Sequence, residues 1–144
     1  MSVPAPLTLR NPQAVAEAAI PVLPMQEFRD AVLHTIRGGA RLSAFFGRLI
    51  DGKHVKVYAL LPHDEAGECT AIAAVAQDSY PSLTPECPQA HWFERELAEQ
   101  FAVKPEGHPW LKPLRHHRNY RGASDLWSGQ ELASAIPAGT PSSM

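Results

Sequence analysis

The sequence predicts an α+β fold, in which an antiparallel sheet of three or more strands carries packed helices and is followed by an extended C-terminal arm. Three observations support this prediction. A stretch with helical periodicity is followed by three β-like runs, and a second helical stretch lies beyond a proline-rich crossing. Consecutive strands with short connections form an antiparallel meander, and the apolar stripe of a helix is readily buried against such a sheet.

The 144 residues divide by composition into three parts. Residues 1–24 contain five prolines, so we expect an irregular N-terminal arm with one helical turn over residues 14–19. Residues 25–121 contain the periodic stretches and are predicted to form one α+β domain. Residues 122–144 are rich in Ala, Ser, Gly and Pro, and we expect a disordered tail. A short docking helix around Trp127 is the alternative for the start of that tail.

The first helix is predicted to begin at Met25, because apolar residues then recur at helical spacing along one stripe. They are Met25, Phe28, Val32, Leu33 and Ile36. Arg37 lies in the last predicted turn, as is typical of a helix C-terminus. Gly38 and Gly39 follow, and a glycine at this point can adopt the left-handed conformation that commonly ends a helix.

Three strands are predicted next, over residues 41–50, 53–61 and 69–76. The Asp-Gly pair at 51–52 is typical of a two-residue hairpin turn in which both central residues take a positive φ. The Phe-Phe pair at 45–46 interrupts strict alternation, which indicates a β-bulge or burial on both faces. These runs together predict a meander, with the first helix packed on one of its faces.

The second helix follows a stiff segment. Residues 78–89 contain three prolines and predict an extended crossing. Residues 91–101 are then predicted to be helical, with Phe93, Leu97 and Phe101 on one buried stripe. Burial of these three side chains contributes on the order of 1.5–3 kcal/mol each, so they fix the helix to its own sheet.

The other sides of this helix are expected to be available to a second protein. Arg95 and Glu99 lie four residues apart and are predicted to pair, which contributes a few tenths of a kcal/mol. Glu94 and Glu96 flank the apolar stripe. Trp92 lies about 100° from the stripe, a position that suits an interface better than the core.

A charged triplet, an aromatic residue and a Gly-His-Pro turn follow one another here with a defined spacing. The residues are Glu94, Arg95, Glu96, Phe101, Gly107, His108, Pro109, Leu111 and Lys112. This pattern resembles the thirty-kilodalton subunit family of respiratory-chain NADH dehydrogenase, the C subunit of bacterial complex I. The resemblance covers residues 25–117. Residues 110–113 are most similar to the version of the domain in energy-converting nickel–iron hydrogenases and formate hydrogenlyases.

The sequence departs from the family pattern at two places in the helix. Ala102 stands where the family usually has glycine, so the exit of the helix is expected to differ if that position requires a positive φ. Residues 98–100, Ala-Glu-Gln, replace an aromatic-Asp-Met sequence, which changes the face that is offered for contact.

The resemblance implies a non-catalytic structural or assembly subunit. Such a subunit docks onto a hydrogenase-like or quinone-site large subunit and helps join it to the iron–sulfur subunits of the same complex. It has no catalytic residues, cofactor or metal of its own. It lies in the cytoplasm, at the inner face of the cell membrane, and it meets the membrane only indirectly through the complex.

The resemblance also implies which residues contact the partner, and the sequence adds two more. The family's contact positions correspond to Glu94, Arg95, Glu96, Phe101, His108, Pro109 and Leu111. Trp92 is added from its place on the helical wheel, and Arg115 from its charge and position. Arginine near carboxylates makes strong bidentate pairs once water is excluded, and Pro109 stiffens the loop before docking.

Two other classes of function stay open as alternatives. Seven histidines, chiefly His108, His116 and His117, allow a metal-dependent enzyme, although no recognised ligand spacing is present. A free-standing protein-binding module is the other alternative. The formal net charge of -2 argues against a dedicated nucleic-acid binder. The basic residues 112–121 are expected to face an acidic partner subunit, with RNA or an acidic lipid surface as the less favoured choices.

Overall fold

The computed structural model describes residues 3–10, 13–122 and 124–127, and it confirms the predicted α+β class. The elements are β1 (Leu7–Arg10), α1 (Met25–Arg37), β2 (Ala44–Leu49), β3 (Val55–His63), β4 (Glu68–Ala76), β5 (Ser79–Pro81), α2 (His91–Phe101) and β6 (Lys104–Glu106). Short 3-10 turns occupy Glu17–Ala19 and Pro88–Ala90. Four strands form an antiparallel sheet in the order β1-β4-β3-β2, and β5 pairs with β6 in parallel.

Helix α1 begins and ends where the apolar periodicity predicts. Phe28, Val32 and Leu33 are buried against β3 and β4, and each contributes on the order of 1.5–3 kcal/mol of burial. Gly38 leaves the helical conformation with φ −79° and ψ 2°, and Gly39 follows with a positive φ of 109°. The prediction of a glycine-terminated helix is therefore confirmed.

The meander of β2, β3 and β4 is also confirmed, but the predicted two-residue turn is wrong. Leu49 pairs with Val55, so the connection spans residues 50–54, and Gly52 does not take a positive φ. The carboxylate of Asp51 accepts the backbone N–H groups of Lys53 at 2.7 Å and His54 at 2.8 Å. This side-chain acceptor closes a wider loop, so the backbone has no need of the tight turn.

Strand β2 alternates regularly, with no bulge. Phe45 is buried on the core face, whereas Phe46 is 45% exposed on the outer face and stacks on Tyr58 at 5.1 Å between ring centroids. Gly47 lies on the core face below α2. A Cβ atom at Gly47 would be 2.6 Å from Cδ1 of Leu97, so glycine is what allows the helix to approach the strand.

The N-terminal arm is more regular than we expected. Leu7–Arg10 forms edge strand β1 on β4, and Leu23 N–H donates to the Ala73 carbonyl at 2.8 Å further along the same edge. The irregular-arm prediction is wrong for this strand, because Leu7 and Leu9 alternate with polar residues and are partly buried on pairing. The 3-10 turn at Glu17–Ala19 falls inside the predicted helical turn.

Residues 107–122 follow β6 without forming a helix or strand, and they lie along α2. Of the predicted tail, the structure describes Gly122 and residues 124–127, in which Trp127 is buried. The expectation of disorder for the rest of the tail falls outside the described residues. Within the described part of the chain, no helix combines the length and apolarity that crossing a membrane requires.

Candidate functional site

Helix α2 is fixed to the sheet by the predicted stripe. Leu97 and Phe101 are buried in the core, and Phe93 packs against it while partly exposed. The helix ends at Ala102, which adopts the left-handed conformation with φ 54° and ψ 40°, and its N–H donates to the Ala98 carbonyl. The chain thus takes the left-handed exit with alanine, at a cost of about 1 kcal/mol relative to an unstrained residue.

Glu94 lies inside the protein, with no exposed surface. Its carboxylate accepts hydrogen bonds from the Ser82 hydroxyl at 2.7 Å, the Leu83 N–H at 2.9 Å, and both the N–H and the hydroxyl of Thr84. Burial, and then the negative charge of Glu94, raise the pKa of the Tyr80 hydroxyl well above its usual range. A buried charge needs such donors. Glu94 therefore fastens the proline-rich crossing to α2.

Glu99 fastens the segment on the other side of the helix. It is 3% exposed and accepts the backbone N–H groups of Leu114, Arg115 and His117. His116 takes a positive φ of 60°, which turns these N–H groups toward one centre. Burial opposes ionisation, yet the N–H groups of His117, Arg115 and Leu114 lower the pKa of Glu99 below its usual value.

Arg95 is also buried and does not pair with Glu99, so that predicted ion pair is wrong. Nε donates to the Lys112 carbonyl at 2.9 Å, and Nη2 donates to the Pro113 carbonyl at 3.3 Å. The guanidinium carbon lies 4.8 Å from the ring centroid of Trp92 and 5.0 Å from that of Trp110. The following loop brings closer acceptors to Arg95 than the next turn of its own helix does.

The Gly-His-Pro turn is held by its histidine. The Trp110 N–H donates to Nδ1 of His108 at 3.1 Å, so the ring proton lies on Nε2 and is directed to the His91 carbonyl at 3.2 Å. Gly107 takes a positive φ of 88° at the start of the turn. Burial, together with the neighbouring His108 and Arg95, lowers the pKa of His91.

Arg121 is a positioning residue that sequence reasoning did not single out. Its side chain is 7% exposed, and Nη1 donates to the carbonyls of Gln77 at 2.7 Å and Phe101 at 3.2 Å. Nη2 donates to the Lys53 carbonyl at 3.0 Å and contacts Asp78. In the sequence Arg121 is one of several cations in a basic run. Its role could not be recognised there, because its four acceptors come from segments far apart along the chain.

The nine predicted contact residues fall into three groups. Glu94, Arg95 and Phe101 are buried; Glu96, His108 and Leu111 are partly buried; Trp92, Pro109 and Arg115 are exposed. The side chains of Glu94 and Phe101 are buried in the isolated chain and support its fold, and their predicted contact with a partner stays a prediction. Arg115 pairs with Glu96 at 3.0 Å along the surface. Trp110, 52% exposed, was missing from the prediction and lies beside Arg95.

The site offers aromatic and cationic groups for binding. In the described ranges, no group of three or more His, Cys, Asp or Glu side chains comes together as a metal site would require. The exposed surface combines Trp92 and Trp110 with Lys112, Arg115 and the half-buried His108. Aromatic residues and arginine are enriched in protein–protein interfaces relative to the rest of a protein surface.

Comparison with known proteins identifies the family. The model of the family described as "Respiratory-chain NADH dehydrogenase, 30 Kd subunit" matches residues 30–124, which include most of the sheet and the whole site. The chain belongs to this family. The resemblance inferred from the Glu-Arg-Glu helix and the Gly-His-Pro turn is thereby confirmed.

Proteins similar to this chain include subunits of two kinds of complex. The chain is 36% identical over 78 residues to formate hydrogenlyase subunit 5 of Escherichia coli, covering 49% of this chain and 14% of that protein. It is 31% identical over 94 residues to the NADH-quinone oxidoreductase C/D subunit of Methylococcus capsulatus, covering 61% and 15% respectively. It is 37% identical over 67 residues to the NADH-quinone oxidoreductase C subunit of a Ruegeria species, covering 46% and 33%. The chain thus matches a third or less of each of these relatives.

Proposed function

We propose that this chain is a non-catalytic subunit of a membrane-associated redox complex. The complex is of the hydrogenase or formate hydrogenlyase type, or of the NADH-quinone oxidoreductase type. The chain docks onto the catalytic large subunit and helps to join it to the iron–sulfur subunits. Its place is the cytoplasmic side of the membrane, to which it is tied through the complex. The relatives named as subunits of formate hydrogenlyase and NADH-quinone oxidoreductase support this assignment.

One observation carries the proposal: two tryptophans are exposed on a surface whose backbone is held from inside. Trp92 is 61% exposed and Trp110 is 52% exposed. Tryptophan is enriched among the residues that dominate binding energy, and large apolar side chains left in solvent indicate a surface that is covered in an assembly. The two indoles lie on α2 and on the loop that α2 fastens.

The backbone of this surface is ordered before any partner binds. Glu99 holds residues 114–117 through their N–H groups, and Arg95 holds the carbonyls of Lys112 and Pro113. Docking therefore loses less conformational entropy than it would with a free loop. The proposed exposed and partly buried contact residues are Trp92, Glu96, His108, Pro109, Leu111 and Arg115, joined by Trp110, with the buried Arg95 beneath the two indoles.

Co-purification tests the proposal. The full chain, carrying a C-terminal affinity tag, is isolated from detergent-solubilised source cells at low salt, and the associated proteins are identified by mass spectrometry. We expect a large subunit and iron–sulfur subunits of one redox complex. A nickel–iron large subunit assigns the hydrogenase type, and a flavin-containing NADH module assigns the NADH dehydrogenase type.

A matched pair of variants locates the contact. The double variant Trp92→Ala, Trp110→Ala is expected to weaken the association by about 2 kcal/mol or more per tryptophan. Phe46→Ala is the control, because Phe46 is an exposed aromatic residue on the outer face of the sheet, away from α2. Equal retention of the large subunit by both variants would contradict this docking surface. Isolation of the wild-type chain alone would favour the free-standing binding module.

A further inference from the structure

Arg95 has an unused hydrogen-bond donor in a buried position. The residue is 5% exposed, and its two hydrogen bonds go to carbonyl oxygens. Nη1 has no partner among the described residues. A buried donor without an acceptor is destabilising and rare in native proteins, so this one calls for an explanation.

A second cation stands beside the same tryptophan. The Trp110 ring centroid lies 5.0 Å from the guanidinium carbon of Arg95 and 5.3 Å from Nζ of Lys112. Within the part of the chain that the structure describes, neither Arg95 nor Lys112 forms an ion pair with a carboxylate. Two positive charges thus share one aromatic ring without a neutralising anion.

The carboxylates of α2 are not available to these cations. Glu94 is saturated by the crossing, Glu99 by the N–H groups of the loop, and Glu96 pairs with Arg115. An anion that serves Arg95 and Lys112 therefore has to come from elsewhere.

We propose that Trp92, Arg95, Trp110 and Lys112 form a receptor for one carboxylate side chain of the partner subunit, which takes the vacant hydrogen bond of Arg95 Nη1. The receptor deepens the docking function proposed above and rests on it. A planar guanidinium binds a carboxylate with defined geometry, and Lys112 adds a second positive charge. An aspartate or glutamate of the docked protein is the occupant that this charge distribution selects.

The receptor can open without unfolding the chain. Both indoles that lie against Arg95 are more than half exposed, so displacing one of them uncovers the guanidinium. The backbone of the loop keeps its place meanwhile, because Glu99 holds residues 114–117 independently of either tryptophan. Once covered by the partner, the new ion pair is shielded from water, where such pairs contribute most.

The test measures the dissociation constant of the full chain with its co-purified large subunit at several salt concentrations. Arg95→Gln and Lys112→Gln each remove one positive charge from the receptor. Lys104→Gln removes one positive charge from β6, where Lys104 is more than half exposed and lies 3.8 Å from Glu106, so it is the matched control. We expect the two receptor variants to weaken binding about tenfold or more and to flatten its salt dependence, with the control within about twofold of wild type.

Lys112→Gln keeps the test independent of folding, because the side chain of Lys112 makes no hydrogen bond into the domain among the described residues. Arg95→Lys adds a check on geometry, since it keeps the charge and removes the planar fork; partial loss is expected. A partner Asp→Asn or Glu→Gln substitution whose effect is not additive with Arg95→Gln would identify the occupant.

The outcomes separate the two proposals. If Arg95→Gln and Lys112→Gln both bind like the wild type while the double tryptophan variant does not bind, the carboxylate receptor is contradicted and the docking surface is supported. Failure of the wild-type chain to bind any large subunit would remove the docking function itself.

Discussion

Glu99 and Glu17 each fasten an irregular segment to the domain, and they do so in opposite surroundings. Glu99 is 3% exposed and accepts the backbone N–H groups of Leu114, Arg115 and His117. Glu17 has a side chain that is 46% exposed, and it holds the N-terminal arm to the side chains of β2 and β3. The first carboxylate is shielded from water and accepts hydrogen bonds only from backbone, whereas the second is half exposed and bonds only to side chains.

The partners of Glu17 are Lys56 at 2.8 Å, the Tyr58 hydroxyl and Arg48 at 3.0 Å. Hydrogen bonds from Lys56, Tyr58 and Arg48 lower the pKa of Glu17 from its usual 4.5 to about 2. Exposed ion pairs contribute little net stability because solvent and ions screen them. The backbone contacts of Glu99 therefore fix the path of the loop beside α2, whereas Glu17 adds side-chain contacts that salt and acid can weaken to an arm already paired with β4.

The largest loss of stability is expected on replacing Glu94, the carboxylate that is fully buried in this fold. Glu94→Ala leaves the donors of Ser82, Leu83 and Thr84 unpaired in the interior. We expect a loss of about 3–5 kcal/mol in the free energy of unfolding, measured by urea denaturation. Glu65→Ala, at an exposed turn, is the control and should change stability by less than about 0.5 kcal/mol.

Glu99→Gln is expected to come next. The amide is a weaker acceptor for the N–H groups of Leu114, Arg115 and His117, so unfolding should become easier by about 1.5–3 kcal/mol. Amide hydrogen exchange should accelerate at these positions and stay slow in α1. Unchanged exchange at Leu114, Arg115 and His117 would show that Arg95 alone holds the loop.

Acid tests the same contact without a mutation. The folded pKa of Glu99 is lowered, so its stabilisation is complete above the unfolded pKa of about 4.3 and is lost as the pH falls through the folded value. The protection of the Leu114, Arg115 and His117 amides against exchange should therefore fall below about pH 4, toward the level of the Glu99→Gln protein. Protection that is independent of pH over this range would contradict the assignment.

A gain of stability is expected at Ala102. Its positive φ of 54° is unfavourable for alanine and unrestricted for glycine, so Ala102→Gly should stabilise the fold by about 0.5–1 kcal/mol. Ala98→Gly is the control, because Ala98 is in the helix interior, where glycine costs about 1 kcal/mol. A loss at both positions would mean that the exit from α2 is not strained.

The smallest effect on global stability is expected at Glu17. Glu17→Gln removes the charge that Lys56 and Arg48 share, and the arm should open more often while the domain unfolds almost as before. Hydrogen exchange at Leu23, whose N–H bonds to Ala73, reports on the arm. In the wild type the protection of the Leu23 N–H should fall as salt is added and as the pH is lowered from 4.5 to about 2. The loop held by Glu99 should not respond to salt.

The elements that depend on local periodicity could be predicted from the sequence. The apolar stripe of Phe28, Val32 and Leu33 lies within α1 itself, so the helix can be recognised from its own residues. The stripe of Leu97 and Phe101 identifies α2 in the same way. Strand β1 could not be predicted, because four residues between prolines gain their order only from β4. The length of the hairpin loop at residues 50–54 could not be predicted either, because it depends on the Asp51 carboxylate accepting the N–H groups of Lys53 and His54.

The helix that carries the candidate site was predicted, but the burial of its charged side chains was not. A helical wheel shows that Glu94, Arg95 and Glu99 lie off the apolar stripe, and exposed charges are then the simplest expectation. The crossing and the loop that cover these side chains come from segments on either side of α2, and no local pattern shows that they fold back onto it. Trp92 was correctly predicted to be exposed, since its neighbours on the wheel are polar.

The contact between Glu99 and the loop fixes the path of the loop backbone without fixing which side chains the loop exposes. Glu99 binds only main-chain N–H groups, so the side chains of residues 114–117 are not required to maintain the path of the loop. Sequence drift along this stretch can then exchange one set of surface groups for another while the scaffold stays constant. Two proteins with this loop can in this way differ in the side chains they expose while the path of the backbone is the same.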